Sequence, residues 1–282
     1  MNFQKDVWAH YSQVHSLAKC AVRTAEKEGI EVYPRELKYD LDRTKVADTV
    51  ALGTIDIPVN RIVGTAVFDE KDLYSPDFLP IASVNSGFAE EWCQLYMDYL
   101  TDKGWGSPIR CFEYLGRFYV QDGKKRVSVL KAHGATTTEA IVTRIVPVQS
   151  EDIDVANYYE FLQNYEKTGL YQVAFTQPGG FAKLQAALGH TEDYVWNDTD
   201  RFGFLFNLIP VEYAFRNVFH GKLNITEADV LLTLLEDYSY SEIRKMQPWE
   251  LTKVLQNSRV KLYRVLDPDF VVAPGGAAKK AS

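Results

Sequence analysis

Four consecutive residues carry the strongest chemical signal in this 282-residue chain: Gly123, Lys124, Lys125 and Arg126. They follow the β-type run Tyr119-Val120-Gln121-Asp122 and precede a helix-forming run from Val127 to His133. A glycine directly after a strand lets the backbone turn steeply and brings amide N–H groups close to a ligand. The helix beyond it aims its unpaired N–H groups and the positive end of its dipole at the same point. Three cations in the first turn oppose that dipole, because cations are favoured at the other end. An anion seated at the helix start removes the conflict. A phosphate-bearing ligand is therefore expected, with a solvated basic turn as the alternative.

The carboxylates that could serve such a site are Glu113, Asp122 and Asp56, each a candidate acid, base or metal carboxylate near the turn. The acidic loop carrying Asp69, Glu70 and Asp72 could hold a metal ion, with a solvated loop as the alternative. Five histidines, His10, His15, His133, His190 and His220, are isolated in sequence. His10 and His15 lie ~140° apart on a helix, which does not suit a shared metal. Cys20, Cys93 and Cys111 form no CxxC pair and read as reduced thiols. No GxxxxGK[ST], GxGxxG or nucleophile-elbow motif is present.

The elements that must position these groups can be read from periodicity. Apolar residues Val7, Tyr11, Val14, Leu17, Ala18, Ala21 and Val22 predict a helix over 4–29. A short helix is expected near 43–50, and a β-rich segment over 53–65 with Pro58 at an edge strand or strand end. A stripe of Phe88, Trp92, Leu95, Tyr96, Tyr99 and Leu100 predicts a helix over 88–103. Two β-runs joined at Leu115-Gly116 predict a hairpin, followed by the turn, a helix over 125–133 and a strand over 139–148. Beyond Ser150 the pattern turns mainly helical, with an aromatic helix through Tyr158–Tyr165 expected to pack on the first domain, and a short strand over Tyr171–Phe175. Further helices are expected over 181–188 and 227–237, then one opened by Ser239 or Ser241 and one opened by Pro248 and running to about Leu266, with Pro210 breaking the Phe-rich stretch 202–219. Thr226 with Asp229 resembles a capping box. The expected class is α+β: a helical leader over 1–51, a domain over 52–150, a mainly helical region over 151–270 and a disordered tail over 271–282.

Composition narrows the function classes. Charged residues are 24% and hydrophobic ones 46%, ordinary globular values, and the net charge of −7 does not favour a nucleic-acid binder. No apolar run reaches bilayer-spanning length, and the start Met1–Asp6 lacks the apolar stretch of a signal peptide. A cytoplasmic protein with no membrane contact is expected.

The run Ile57-Pro58-Val59-Asn60-Arg61-Ile62, then Ser107-Pro108-Ile109-Arg110, then the hairpin into Val120-Gln121-Asp122-Gly123-Lys124-Lys125-Arg126-Val127-Ser128 resembles the ParB/sulfiredoxin-like superfamily over residues 52–148. It looks closest to bacterial ParB N-terminal-domain-containing proteins of unassigned role. That family has an I-P-x-x-x-I strand, a P-I-x-V strand and a D/E-G-x-x-R-x-x-A turn-helix. The resemblance implies a mixed sheet with helices and a pocket for a nucleotide, CTP, ATP or ADP, with Mg²⁺. It places Gly123 at the close backbone approach and Arg126 on phosphate oxygens, with Lys124 and Lys125 at the variable positions between them. Departures bear on catalysis. Lys124 stands where hydrolysing members often carry an acid, no downstream Asn-x-x-Arg appears, and sulfiredoxin's Gly-Cys-His-Arg signature is absent.

The expected function is a phosphate- or nucleotide-binding module with a regulatory or DNA-associated role and weak or no catalysis. The alternatives are a nucleotide-dependent phosphotransferase or nuclease of the same fold, and a protein–protein interaction module with a vestigial pocket. Expected partners are the phosphate-bearing ligand and a protein partner or homodimer. Helices over 227–266 show no helix-turn-helix, so no strong stand-alone DNA binding is expected.

Overall fold

The computed structural model describes residues 3–67, 69–101, 103–104, 106–219, 223–272 and 278–279. The protein is α+β: among the described residues, ten α-helices accompany a six-stranded mixed sheet. Contacts divide the chain into two compact units, Met1–Val148 and Gln149–Ser282. No helix among the described residues is long and apolar enough to cross a membrane.

The first unit opens with α1 (Phe3–Glu28), β1 (Arg35–Glu36), β2 (Val46–Pro58) and β3 (Ile62–Thr65). It continues with α2 (Gly87–Leu100), β4 (Ile109–Tyr114), β5 (Arg117–Asp122), α3 (Lys124–His133) and β6 (Thr137–Pro147). The sheet order is β1-β3-β5-β4-β6-β2. β3 runs parallel to β1 and β5, and β4 parallel to β6, while the β4–β5 hairpin and the β2–β6 ladder are antiparallel. The leader expected over 1–51 is not separate, since β1 and residues 46–51 of β2 belong to this sheet. The short helix expected near 43–50 is only a 3-10 turn, Arg43–Lys45, closed by Asp42 accepting from the Thr44 amide. From Val46 onward, ladder pairing with β6 overrides the local helical preference. Pro58 ends β2, which lies at the edge of the sheet, where its missing N–H leaves no interior ladder bond unmade.

One buried cluster joins three helices. Val7, Tyr11 and Val14 of α1 pack with Ala89, Trp92 and Tyr96 of α2 and Val129 of α3. Leu17, expected on this stripe, is exposed, whereas Ala18, also expected there, is buried. Trp92 Nε1 donates to Ser128 Oγ at 2.9 Å, which fixes α3 against α2. A smaller cluster packs around Leu37, Tyr114, Tyr119 and Ile145.

The second unit comprises α4 (Ile153–Thr168), α5 (Gly180–Ala187), α6 (Asp198–Phe219), α7 (Glu227–Leu234), α8 (Tyr240–Ile243), α9 (Pro248–Asn257) and α10 (Arg259–Leu266). Its core gathers Phe181, Leu184, Trp196, Phe204, Leu208 and Val211 with the apolar faces of α7, α9 and α10. The expected strand Tyr171–Phe175 is irregular, because its alternating Tyr171, Val173 and Phe175 are buried among helices. Phe161 and Tyr165 of α4 pack on Tyr171 inside this unit. Pro210 does not break the Phe-rich stretch. α6 runs through it, and burial of Phe204, Leu208, Val211 and Phe215 outweighs one lost backbone bond. The Thr226–Asp229 capping box is formed, and Asp229 also accepts from the Thr176 amide. His220 and most of the tail 271–282 lie outside the described residues; within the tail, Val271–Val272 pairs with Ala278–Lys279.

Two outcomes test this packing. A Cβ on Gly64 would lie 2.1 Å from the Arg35 carbonyl oxygen and 2.9 Å from the Tyr119 ring. Gly64→Ala is therefore expected to destabilise the first unit by roughly 1–3 kcal/mol in urea titrations, and an unchanged midpoint contradicts the close β1–β3 approach. Burial lowers the pKa values of His10 and His15 on α1, with His133 adding repulsion at His10 and Lys19 at His15, while the Pro80 carbonyl partly offsets the effect at His15. The unfolded chain then binds more protons near and below pH 6.5, so stability falls as pH drops through that value and levels off below the folded pKa values. Thermal melts between pH 7.5 and 5 should show this fall, and His10→Gln with His15→Gln should flatten it.

Candidate functional site

The strand–turn–helix element takes the shape its sequence dictates. Gly123 adopts φ +99°, and a Cβ there would meet Ile109 at 2.7 Å and the Arg126 guanidinium at 2.9 Å. Both the left-handed conformation and the close approach require glycine. No side chain caps α3, and the Val127 amide already bonds the Gly123 carbonyl at 3.0 Å. The amides of Lys124, Lys125 and Arg126 precede the first such bond and point out of the helix start.

Each of the three cations meets an acid of the same unit. Lys124 is buried, its side chain 6% exposed, with Nζ donating to the Asp69 carbonyl at 2.7 Å and pairing with the Asp69 carboxylate. Lys125 pairs with Glu91 of α2 and lies 5.0 Å over the Phe88 ring. Arg126 donates from Nη2 to Asp122 at 2.9 Å and from Nη1 to the Ser107 carbonyl. The acids are by contrast open to solvent: Asp69, Glu91 and Asp122 are 70, 69 and 60% exposed. The hydrogen bond and charge of Lys125 hold the Glu91 carboxyl below its ordinary range. The conflict between cations and helix dipole is thus relieved by the chain's own carboxylates, an arrangement the local spacing did not reveal.

The remaining candidates fall elsewhere. Glu113 is fully buried on β4. Its Oε1 accepts from the Gly116 amide at 2.7 Å and its Oε2 from Arg144 Nε at 2.5 Å. It pairs Phe118, four residues and roughly 13 Å along β5 from Asp122 where the turn begins, so it locks the hairpin instead of serving the site as a base. Asp56 is exposed on edge strand β2, opposite Glu139 and three strands from β5, about 14 Å away. Asp69 is turned to Lys124, and Asp72 is exposed. Among the described residues, no three His, Cys, Asp or Glu side chains gather as a metal-holding group. Cys111 is buried near Arg126, and burial pushes its thiol up to about 12, which keeps it neutral.

The site therefore unites Gly123, Lys124, Lys125, Arg126 and Asp122 from one segment with Asp69, Glu91 and the Ser107 carbonyl from three others. Glu91 was not legible as a site residue, because it lies on the polar side of a helix whose apolar stripe dominates its pattern. No model of a known protein family matches this chain, and no curated protein matches it.

The Glu113–Arg144 pair is testable. Glu113→Ala leaves a largely buried guanidinium and an amide without their acceptor and should cost about 3–5 kcal/mol in chemical denaturation. Glu113→Leu combined with Arg144→Met should recover much of that loss. A full cost in the double variant would show that the residues act independently.

Proposed function

We propose that the first unit binds phosphate groups at the start of α3, in the manner of a ParB-like nucleotide module with a regulatory or DNA-associated role and little catalysis of its own. The observation that carries this reading is the inverted burial of the ion pairs. Lys124, Lys125 and Arg126 are only 6, 23 and 12% exposed, whereas their acids are mostly in water. A carboxylate at the surface can swing into solvent at small cost, since exposed ion pairs are worth about 0–1 kcal/mol. What it uncovers is a helix start with free amides and three held cations, which is anion-binding chemistry. Asp69, Glu91 and Asp122 then act as internal competitors that occupy the places of phosphate oxygens. CTP, ATP or ADP with Mg²⁺ supplies the anion class that the superfamily resemblance implies. Phosphoryl transfer needs a carboxylate aligned on the phosphate or its metal, and Glu113 is held instead by the Gly116 amide and Arg144, which supports binding over catalysis.

The same ion pairs favour a second reading. A cluster that already neutralises itself could be purely structural, leaving the unit to work through protein contacts. The two readings respond oppositely to removal of an acid. A thermal-shift panel of CTP, ATP, ADP and GTP with and without Mg²⁺ should show stabilisation by at least one nucleotide, about 2.7 kcal/mol at a hundredfold excess over Kd. Arg126→Ala should abolish that shift. Glu91→Gln should lower the basal melting temperature slightly and increase the shift, because a competitor is gone. No shift with any nucleotide in either wild type or Glu91→Gln leaves the structural reading standing.

A further inference from the structure

α6 carries an apolar stripe on its outer face. Phe202, Phe206, Ile209 and Tyr213 are 75, 70, 49 and 63% exposed. The opposite face, with Phe204, Leu208, Val211 and Phe215, is buried in the core of the second unit. A surface helix ordinarily places polar side chains outward, and scattered exposed apolar residues need no explanation. Here the outward positions from Phe202 to Tyr213 are all large and apolar, and they recur at intervals of four, three and four. That is the a/d spacing of a coiled-coil seam.

We propose that this stripe is the interface for a second copy of the chain, packed through α6 in antiparallel orientation. The spacing is the first argument. Four-three-four reads the same in both directions, so a two-fold axis between positions 207 and 208 sets Phe206 against the second copy's Ile209. It also sets Phe202 against the second copy's Tyr213. Such self-complementarity is what an isologous interface requires.

Charge is the second argument. Asp198 opens α6 with its side chain 85% exposed and pairs with Arg201 of the same helix, and Arg216, near the other end and 57% exposed, pairs with Glu212; both ion pairs are at the surface and can share a charge from a second copy. The same axis brings Arg216 level with Thr199 of the second copy, beside that copy's Asp198. Antiparallel helix dipoles add to the attraction. A parallel pair would instead set Asp198 against Asp198 and Arg216 against Arg216.

Area is the third argument. Side chains of this kind bury about 150–250 Å² each, so at these exposures the stripe offers roughly 500 Å² per copy. Two copies reach the ~1,000 Å² that separates specific interfaces from incidental contacts.

Sedimentation velocity of the full chain from 1 to 100 μM tests the proposal. Wild type should sediment as a species of twice 32.1 kDa, and Phe206→Glu with Ile209→Glu should sediment as a monomer with unchanged helical circular dichroism. Tyr213→Lys alone, at a position 63% exposed, should raise the dimer dissociation constant at least tenfold and guards against misfolding of the double variant. Orientation is read in a Cys20→Ser background: Phe202→Cys mixed with Tyr213→Cys should form a disulfide heterodimer in preference to like-with-like products. A wild type monomeric throughout, or a dimer unaffected by the double variant, overturns the proposal. So does a monomer in which Phe206→Glu lowers stability, since the stripe would then be covered by its own chain, and so does like-with-like crosslinking.

Discussion

The positive end of α3 sets the terms for the first unit. A helix start with three uncapped amides repels cations, yet three consecutive basic side chains occupy its first turn. They are tolerated because acids reach them from three directions: Asp69 from the loop after β3, Glu91 from α2 and Asp122 from the end of β5. Each acid is delivered by a different connection in the sheet, so the turn is where the parallel β3–β5 pair, the β4–β5 hairpin and the α2–α3 contact must all be correct at once. The Trp92–Ser128 bond and the Glu113–Arg144 pair serve that alignment from a distance, the first by holding α2 on α3, the second by holding β4 on β6.

Burying the cation and exposing the acid has a physical consequence. A lysine as enclosed as Lys124 must have a partner, because an unpaired charge away from water is costly. Asp69 has no such need; released, it returns to solvent. The asymmetry means that an anion arriving at this turn would displace a group that water readily accepts, while the cations it met would stay desolvated and in place. Had the burial been reversed, with enclosed acids and exposed lysines, the same six residues would repel an anion.

Much of this architecture was legible where one residue's requirement is local. Gly123 after a strand, the hairpin at Leu115-Gly116, and the Thr226–Asp229 box depend on neighbours a few positions away, and each has the form the sequence suggests. Legibility failed where a distant partner decides. Residues 46–50 look helical until β6 offers a ladder, and Tyr171–Phe175 alternates like a strand but, among the described residues, pairs with none. Pro210 looks like a break until the buried face of α6 is counted. The site divides in the same way: the cations are consecutive and visible, whereas Glu91 is 34 positions from its partner Lys125 and carries no motif.

Glu113 shows why residue type alone misleads. A glutamate on the strand before a basic turn resembles a catalytic base, and its full burial would ordinarily strengthen that reading, because burial is how proteins tune such groups. Its partners decide otherwise. Its oxygens accept from the hairpin amide of Gly116 and from Arg144, and the turn begins roughly 13 Å away along β5. A base must reach the proton it removes; a carboxylate held by the hairpin amide and by Arg144 of β6 positions the β4–β5 hairpin, and through β5 the glycine on which the whole turn depends.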